Sequence, residues 1–188
     1  MRKKGLLKKL RLCGIFNGLD DSYLNAVEKG MSCAQFRIKG ANSLDSLRLI
    51  KAKMEYLIRK GITVLINDRI DVAFTCNAHG VHIGKGDFNV HTARAVLGRH
   101  RIIGKTVRDV NEAVGAQEEG ADYVSVGPIF RTDIKRTLRP VGLKMLSAVK
   151  DSVKIPVTAI GGINFLNVRR VMDTGADGVW MMSAFREA

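Results

Sequence analysis

Two acidic residues follow two apolar stretches that lie close together in the chain. The first stretch, residues 64–66, ends in Asn67 and Asp68, and the second, residues 80–83, is followed by Asp87. If the two stretches are neighbouring strands of one sheet, both carboxylates lie at the same edge. Two carboxylates there would suit Mg²⁺, which takes its other ligands from water and substrate phosphate. Alternatively, Asp68 caps the next helix and Asp87 lies in a turn.

A second group of polar residues could bind a phosphate group. Gln35, Arg37 and Lys39 alternate along an extended segment, so their side chains point to one side. They would provide an amide, a guanidinium fork and an ammonium group, although a solvated strand end would look the same. Gly161 and Gly162 would let backbone N–H groups approach an anion, or would simply form a tight turn.

The longest segment between predicted elements is residues 127–140. It contains Thr132, Lys135, Arg136 and Arg139. Long loops in compact domains are usually binding segments or lids, whereas the alternative is a solvated run of charges. The four histidines form no pair with metal-ligand spacing, and we assign none of them to catalysis.

Short apolar runs alternate with amphipathic stretches roughly every 22 to 25 residues, which indicates βα units and a parallel sheet. The predicted strands are residues 10–16, 33–38, 63–66, 80–83, 101–104, 123–126, 157–160 and 178–182. The predicted helices are residues 20–29, 44–60, 70–77, 90–97, 110–119, 143–150 and 166–174. Eight strands and seven helices predict an α/β fold, a compact (β/α)8 TIM barrel with a truncated eighth helix, in one domain over residues 1–188. The polar residues described above then meet at the functional, C-terminal face.

Composition limits the classes of protein to which the chain can belong. It has 188 residues, 46% of them hydrophobic, and no apolar run long enough to span a bilayer, so we expect a cytoplasmic globular protein. The three cysteines are far apart and are expected to be buried thiols. A net charge of +13 favours anionic partners. Because the cations are dispersed and aromatic residues make up only 6%, phosphorylated metabolites are favoured over nucleic acid.

Six segments resemble the thiamin-phosphate synthases and their thiazole tautomerase relatives. They are residues 35–39, 65–69, 80–84 with Asp87, 123–130, 159–164 and 175–179. The resemblance implies a transferase that joins a hydroxymethylpyrimidine diphosphate to a thiazole phosphate and releases diphosphate. It implies Mg²⁺ as cofactor, held by Asp68 and Asp87, and catalytic cations at Arg37, Lys39 and Lys135. The residues implied for the pyrimidine diphosphate are Gln35, Arg37, Lys39, Asn67, Thr106 and Lys135. Those implied for the thiazole phosphate are Thr132, Gly162, Met182 and Ser183.

Three positions depart from the pattern of this family. Ile134 replaces a threonine, Lys105 replaces a small apolar residue, and Arg108 stands where the tautomerases have a histidine. Arginine is a poor proton shuttle at neutral pH, which favours the synthase over a tautomerase. A non-catalytic barrel that binds phosphorylated ligands is the other alternative.

The short end of the chain also predicts self-association. Without a full eighth helix, the outer faces of the first and eighth strands lack their usual cover, and such faces are apolar. Either residues 1–9 fold back as a substitute helix, using Leu6 and Leu7 together with Leu10, or a second subunit covers them. We expect a homodimer, because a short cationic segment is a weak substitute.

Overall fold

The protein folds as a closed parallel β-barrel surrounded by helices. The computed structural model describes residues 3–17, 21–37, 44–84 and 86–185, without the side chains of residues 44–46, 49 and 135. The strands pair in chain order, and the last pairs with the first. This confirms the predicted (β/α)8 barrel. The strands are β1 Leu12–Phe16, β2 Cys33–Phe36, β3 Thr63–Asn67, β4 Gly80–Ile83, β5 Ile102–Val107, β6 Tyr123–Val126, β7 Val157–Ile160 and β8 Gly178–Met181.

Helices follow or precede the strands in the expected alternation. They are α1 Lys3–Leu7, α2 Ser22–Glu28, α3 Leu44–Arg59, α4 Ile70–Thr75, α5 Val90–Leu97, α6 Val110–Glu118, α7 Gly142–Ser152 and α8 Val168–Met172, with 3₁₀ turns at Asp133–Lys135 and Ser183–Phe185. None of the described helices is long and apolar enough to cross a membrane.

Several predicted boundaries were wrong by a few residues. β5 continues to Val107, so Thr106 lies within the strand and not after it. β1 begins at Leu12, and Leu10 precedes it. α8 begins two residues later than predicted. The Asn164 side chain explains this, because it accepts hydrogen bonds from the backbone N–H groups of the next residues and forms a turn before the helix.

Local capping fixes the connection between β5 and α6 at the C-terminal face. The Asp109 side chain accepts from the Glu112 N–H at 2.8 Å, and the Glu112 carboxylate accepts from the Arg108 N–H at 2.8 Å. This reciprocal pair satisfies two backbone donors at the start of α6. The helix therefore starts within three residues of the end of β5.

The interior of the barrel is a separate apolar cluster, and α1 closes its N-terminal end. The cluster comprises Leu6, Leu10, Cys13, Ile15, Cys33, Leu65, Ile102, Tyr123 and Trp180. Thr63 Oγ1 donates to the Leu6 carbonyl at 3.3 Å, which fastens α1 to β3. Of the two alternatives for the outer faces of β1 and β8, cover by this segment was therefore wrong, because its leucines pack into the barrel interior. The end of the barrel buries Leu6 and Leu10 almost completely. The three cysteines are free and buried, as expected.

Candidate active site

A cavity of about 400 Å³ opens at the C-terminal ends of the strands. Most of the predicted site residues line it: Gln35, Arg37, Asn67, Asp68, Asp87, Thr106, Thr132, Gly162, Met182 and Ser183. The side chains of the two remaining predicted site residues are not among those that the structure describes. Lys39 lies outside the described residues, and only the backbone of Lys135 is described, in the 3₁₀ turn of the long loop. The barrel thus brings side chains from distant parts of the sequence into one cavity.

A chain of amides leads from the bottom of the cavity to the first carboxylate. Gln35 Nε2 donates to Asn67 Oδ1 at 2.5 Å, and Asn67 Nδ2 donates to Asp68 Oδ2. Gln35 is only 1% exposed, and its Oε1 has no hydrogen-bond partner among the described residues. A buried carbonyl oxygen without a donor is costly, so this atom is available to a ligand N–H group.

Asp68 and Asp87 converge on Gly84. A Cβ atom at Gly84 would lie 2.6 Å from Asp87 Oδ2 and 3.3 Å from Asp68 Oδ1, so both carboxylates need the space that glycine leaves. The Gly84 N–H donates to Asp68 Oδ1 at 2.9 Å. The residue before α4 is Arg69, without a side-chain cap, so Asp68 does not cap that helix. The alternative assignment of Asp68 as a helix cap was wrong.

The electrostatics of this pair favour a bound cation. Burial raises the pKa of Asp68, and the Asp87 carboxyl raises it further, while the Gly84 N–H and the Asn67 amide lower it. Ionisation of Asp68 beside the Asp87 carboxyl therefore costs free energy that a divalent cation would offset. Among the described residues no third acidic residue, cysteine or histidine joins them in a metal-binding cluster. Such a two-carboxylate site fits Mg²⁺, which keeps positions for water and phosphate.

His82 is a cavity residue to which the sequence analysis assigned no role. Its Nδ1 makes a 2.7 Å hydrogen bond with the Tyr123 hydroxyl, and its Nε2 makes a 2.8 Å bond with Thr106 Oγ1. Its ring lies 5.4 Å from that of Trp180, which also lines the cavity. Alternation along β4 could have revealed it, because His82 stands two residues from Gly80 and Gly84 and so faces the interior with them.

The opposite side of the cavity is built from backbone. Gly161 and Gly162 have φ angles of 95° and 68°, in the left-handed region that favours glycine. A Cβ atom at Gly162 would lie 2.6 Å from the Arg131 carbonyl oxygen. The Phe130 N–H donates to the Gly161 carbonyl at 3.0 Å, which joins the pair to the loop after β6. The pair is thus packed closely enough to that loop to exclude any side chain.

The loop after β6 contributes one hydroxyl and one apolar side chain to the cavity. Thr132 Oγ1 accepts from the Ile134 N–H at 3.4 Å, at the start of the 3₁₀ turn. Ile134 lines the cavity and is 47% exposed. The departure from the family pattern at this position therefore changes the cavity wall itself.

Comparisons with known proteins find relatives that match most of the chain. Residues 17–185 match the family model described as thiamine monophosphate synthase. The thiamine-phosphate synthase of Clostridium acetobutylicum is 41% identical over 167 residues, which cover 87% of this chain and 77% of the relative. That of Clostridium novyi is 38% identical, covering 85% of this chain and 79% of the relative. The structure of thiamine phosphate pyrophosphorylase from Pyrococcus furiosus is 37% identical with a TM-score of 0.87, covering 95% of this chain and 88% of that one. A family model that spans most of the chain, together with relatives 38% and 41% identical, shows that the chain belongs to the thiamine monophosphate synthase family.

Proposed function

We propose that this protein is a Mg²⁺-dependent thiamine-phosphate synthase. It transfers the hydroxymethylpyrimidine group from its diphosphate to a thiazole phosphate, giving thiamine phosphate and diphosphate. The observation that carries the proposal is the convergence of Asp68 and Asp87 on Gly84, in the same cavity as Arg37. A cation site beside a guanidinium group is suited to a diphosphate leaving group.

The pyrimidine diphosphate spans the cavity from Gln35 to the carboxylate pair. The free Oε1 of Gln35 accepts a hydrogen bond from an N–H group of the pyrimidine. Arg37 contacts the diphosphate, and Lys39 and Lys135 are proposed as further cations. The hydroxyl of Thr106 and the amide of Asn67, both in the cavity wall, complete this half of the site. Asn67 is held between Gln35 and Asp68, so its orientation is fixed before the substrate binds.

The chemistry needs a stabilised leaving group more than it needs proton transfer. The bond between the pyrimidine methylene carbon and the diphosphate oxygen breaks, and the electron pair leaves with the diphosphate. The thiazole nitrogen then donates its lone pair to the resulting carbocation, so no proton has to be removed. Mg²⁺ held by Asp68 and Asp87 would supply positive charge at the leaving group. Arg37 acts in the same direction from the protein side.

The thiazole phosphate binds on the opposite wall. Thr132, Gly162, Met182 and Ser183 line this part of the cavity. The φ angles of Gly161 and Gly162 let the chain turn sharply where a phosphate group approaches. Binding the two substrates on facing walls places their reacting atoms between them.

The structure gives no support to the tautomerase alternative at Arg108. Its guanidinium Nη2 donates to the Arg139 carbonyl at 2.8 Å. The guanidinium group is thus used to bind backbone, and arginine is a poor acid–base catalyst in any case.

The test is product formation from both heterocyclic phosphates with Mg²⁺. The wild type should form thiamine phosphate and diphosphate, and Asp68→Ala or Asp87→Ala should each lose several kcal/mol of transition-state stabilisation, on the order of 10²-fold or more in rate. Asp71→Ala is the matched control, because Asp71 is exposed and paired with Arg69. An inactive wild type, or full activity in both cavity variants, would contradict the proposal.

We also propose that the protein is a homodimer. Apolar side chains stay exposed near α2 and after β7, including Leu24, Phe165 and the 95% exposed Leu166. Phe165 packs edge-on against the buried Phe185 at 5.7 Å, which holds its exposed ring beside the 3₁₀ turn after β8. Light scattering should give twice the chain mass of 20.7 kDa. A monomer at micromolar concentration would exclude the dimer.

A further inference from the structure

Lys105 holds the segment that carries Asp87 at two points. Lys105 lies in β5 and points away from the barrel interior, since its neighbours Gly104 and Thr106 point inward. Its ammonium group donates to the Gly84 carbonyl at 3.1 Å and to the Phe88 carbonyl at 3.4 Å. These two carbonyls stand on either side of Asp87 in the sequence. One lysine therefore clamps both ends of this short segment.

The Gly84 peptide connects the same lysine to the other carboxylate. The Gly84 N–H binds Asp68 Oδ1 at 2.9 Å, and its carbonyl accepts from Lys105. Gly84 is also the residue on which both carboxylates converge. A shift of this glycine would change the position of Asp68 through one hydrogen bond, and of Asp87 through the chain itself.

We propose that Lys105 is a positioning residue for the cation site formed by Asp68 and Asp87, an inference that rests on the proposed function. Its hydrogen bonds hold the backbone at Gly84 and at Phe88, on either side of Asp87, so the two carboxylates face one ion before it binds. Groups that orient metal ligands in this way commonly change metal affinity 10- to 100-fold when they are removed.

The charge of Lys105 makes the proposal easy to separate from a simple electrostatic effect. A cation near a metal site repels the ion, so removing the charge alone should strengthen binding. Loss of positioning should weaken it. The two explanations predict opposite signs for the same substitution, and the measurement therefore decides between them.

The test is binding of Mn²⁺ alone, measured by calorimetry on the wild type, Lys105→Met and Lys105→Arg. Lys105→Met removes the ammonium but keeps a long apolar chain, and should raise the Kd for Mn²⁺ about tenfold. Lys105→Arg keeps donors for both carbonyls and should recover part of the affinity. Lys144→Met, an exposed lysine of α7, is the control for net charge and should leave the Kd unchanged.

A second readout guards against a folding defect. Urea midpoints should match the wild type for Lys105→Arg, and turnover of Lys105→Met should show a higher Mg²⁺ requirement with an unchanged KM for the thiazole phosphate. An unchanged or lower Kd for Mn²⁺ in Lys105→Met would overturn the inference while leaving the synthase activity of the wild type intact. Absence of product from the wild type would instead overturn the proposed function.

Discussion

Substitution of Gly104 by alanine should destabilise the protein strongly, although it adds a single methyl group. Gly104 faces the barrel interior beside the ring of Tyr123. A Cβ atom there would lie less than 3.0 Å from Cζ, from Cε1 and from the hydroxyl oxygen of that ring. Real Cβ atoms essentially never come so close, so the ring has to move.

The ring of Tyr123 has no free direction in which to move. It is fully buried, it stacks on Trp180 with an interplanar angle of 10°, and its hydroxyl is bonded to His82 Nδ1 at 2.7 Å. Overpacking in a core costs about 1–3 kcal/mol. A buried hydroxyl that loses its partner costs about 1–3 kcal/mol more. We therefore expect Gly104→Ala to lower the free energy of unfolding by about 2–6 kcal/mol.

Urea denaturation followed by fluorescence measures this effect directly, because Trp180 is the single tryptophan of the chain. Gly115→Ala is the matched control. Gly115 lies inside α6, and a Cβ atom added there would meet nothing within 4 Å. That variant should gain about 0.5–1 kcal/mol, since glycine is unfavourable within a helix. Equal urea midpoints for Gly104→Ala and the wild type would refute the reasoning.

Three further predictions concern the pH dependence of stability, the burial of leucine and the cavity wall at Ile134. Burial lowers the pKa of His79, whose Nδ1 accepts from the Val64 N–H. The His79 side chain therefore binds its proton more tightly in the unfolded chain than in the folded one. The free energy of unfolding should fall as the pH drops below about 6.5, by at most about 1.4 kcal/mol per pH unit. A His79→Asn variant with the same pH dependence of unfolding would contradict this. Leu10→Ala should cost about 2–5 kcal/mol, whereas Val96→Ala, at an exposed position of α5, should stay within about 0.5 kcal/mol in the same urea titration. Ile134→Thr should lower the KM for the thiazole phosphate roughly tenfold by adding a donor to a charged ligand, and an unchanged KM would show that this wall does not contact the phosphate.

Much of the site could be predicted from the sequence because the barrel places strand ends at one face. Asn67, Asp68 and Asp87 follow apolar runs that the structure confirms as β3 and β4. The order of the strands in the barrel was enough to predict that these three residues lie in one cavity. The preference of two carboxylates for a hard cation is likewise a property of the residue types.

Contacts across the barrel interior were not predictable in the same way. His82, Tyr123 and Trp180 come from strands that are not neighbours, and their rings lie 5.4 to 5.7 Å apart. Alternation shows that each side chain points inward, but not at which height it lies or which residues it meets. The height depends on the shear of the barrel, which no local pattern encodes. The small residue Gly104 was the sequence signal that one large ring needed space.

The three rings also explain why the cavity ends where it does and why its floor is fixed. Below them the interior is filled up to Leu10, so no ligand can go deeper. His82 uses both ring nitrogens within the protein, one for Tyr123 and one for Thr106. The hydroxyl of Thr106 at the cavity wall is therefore held by a side chain that is itself packed against Trp180. A substrate meets groups whose orientation was established during folding, and it does not have to order them on binding. Under the proposed function, the packing of the barrel core and the recognition of the substrate by Thr106 depend on the same three aromatic side chains.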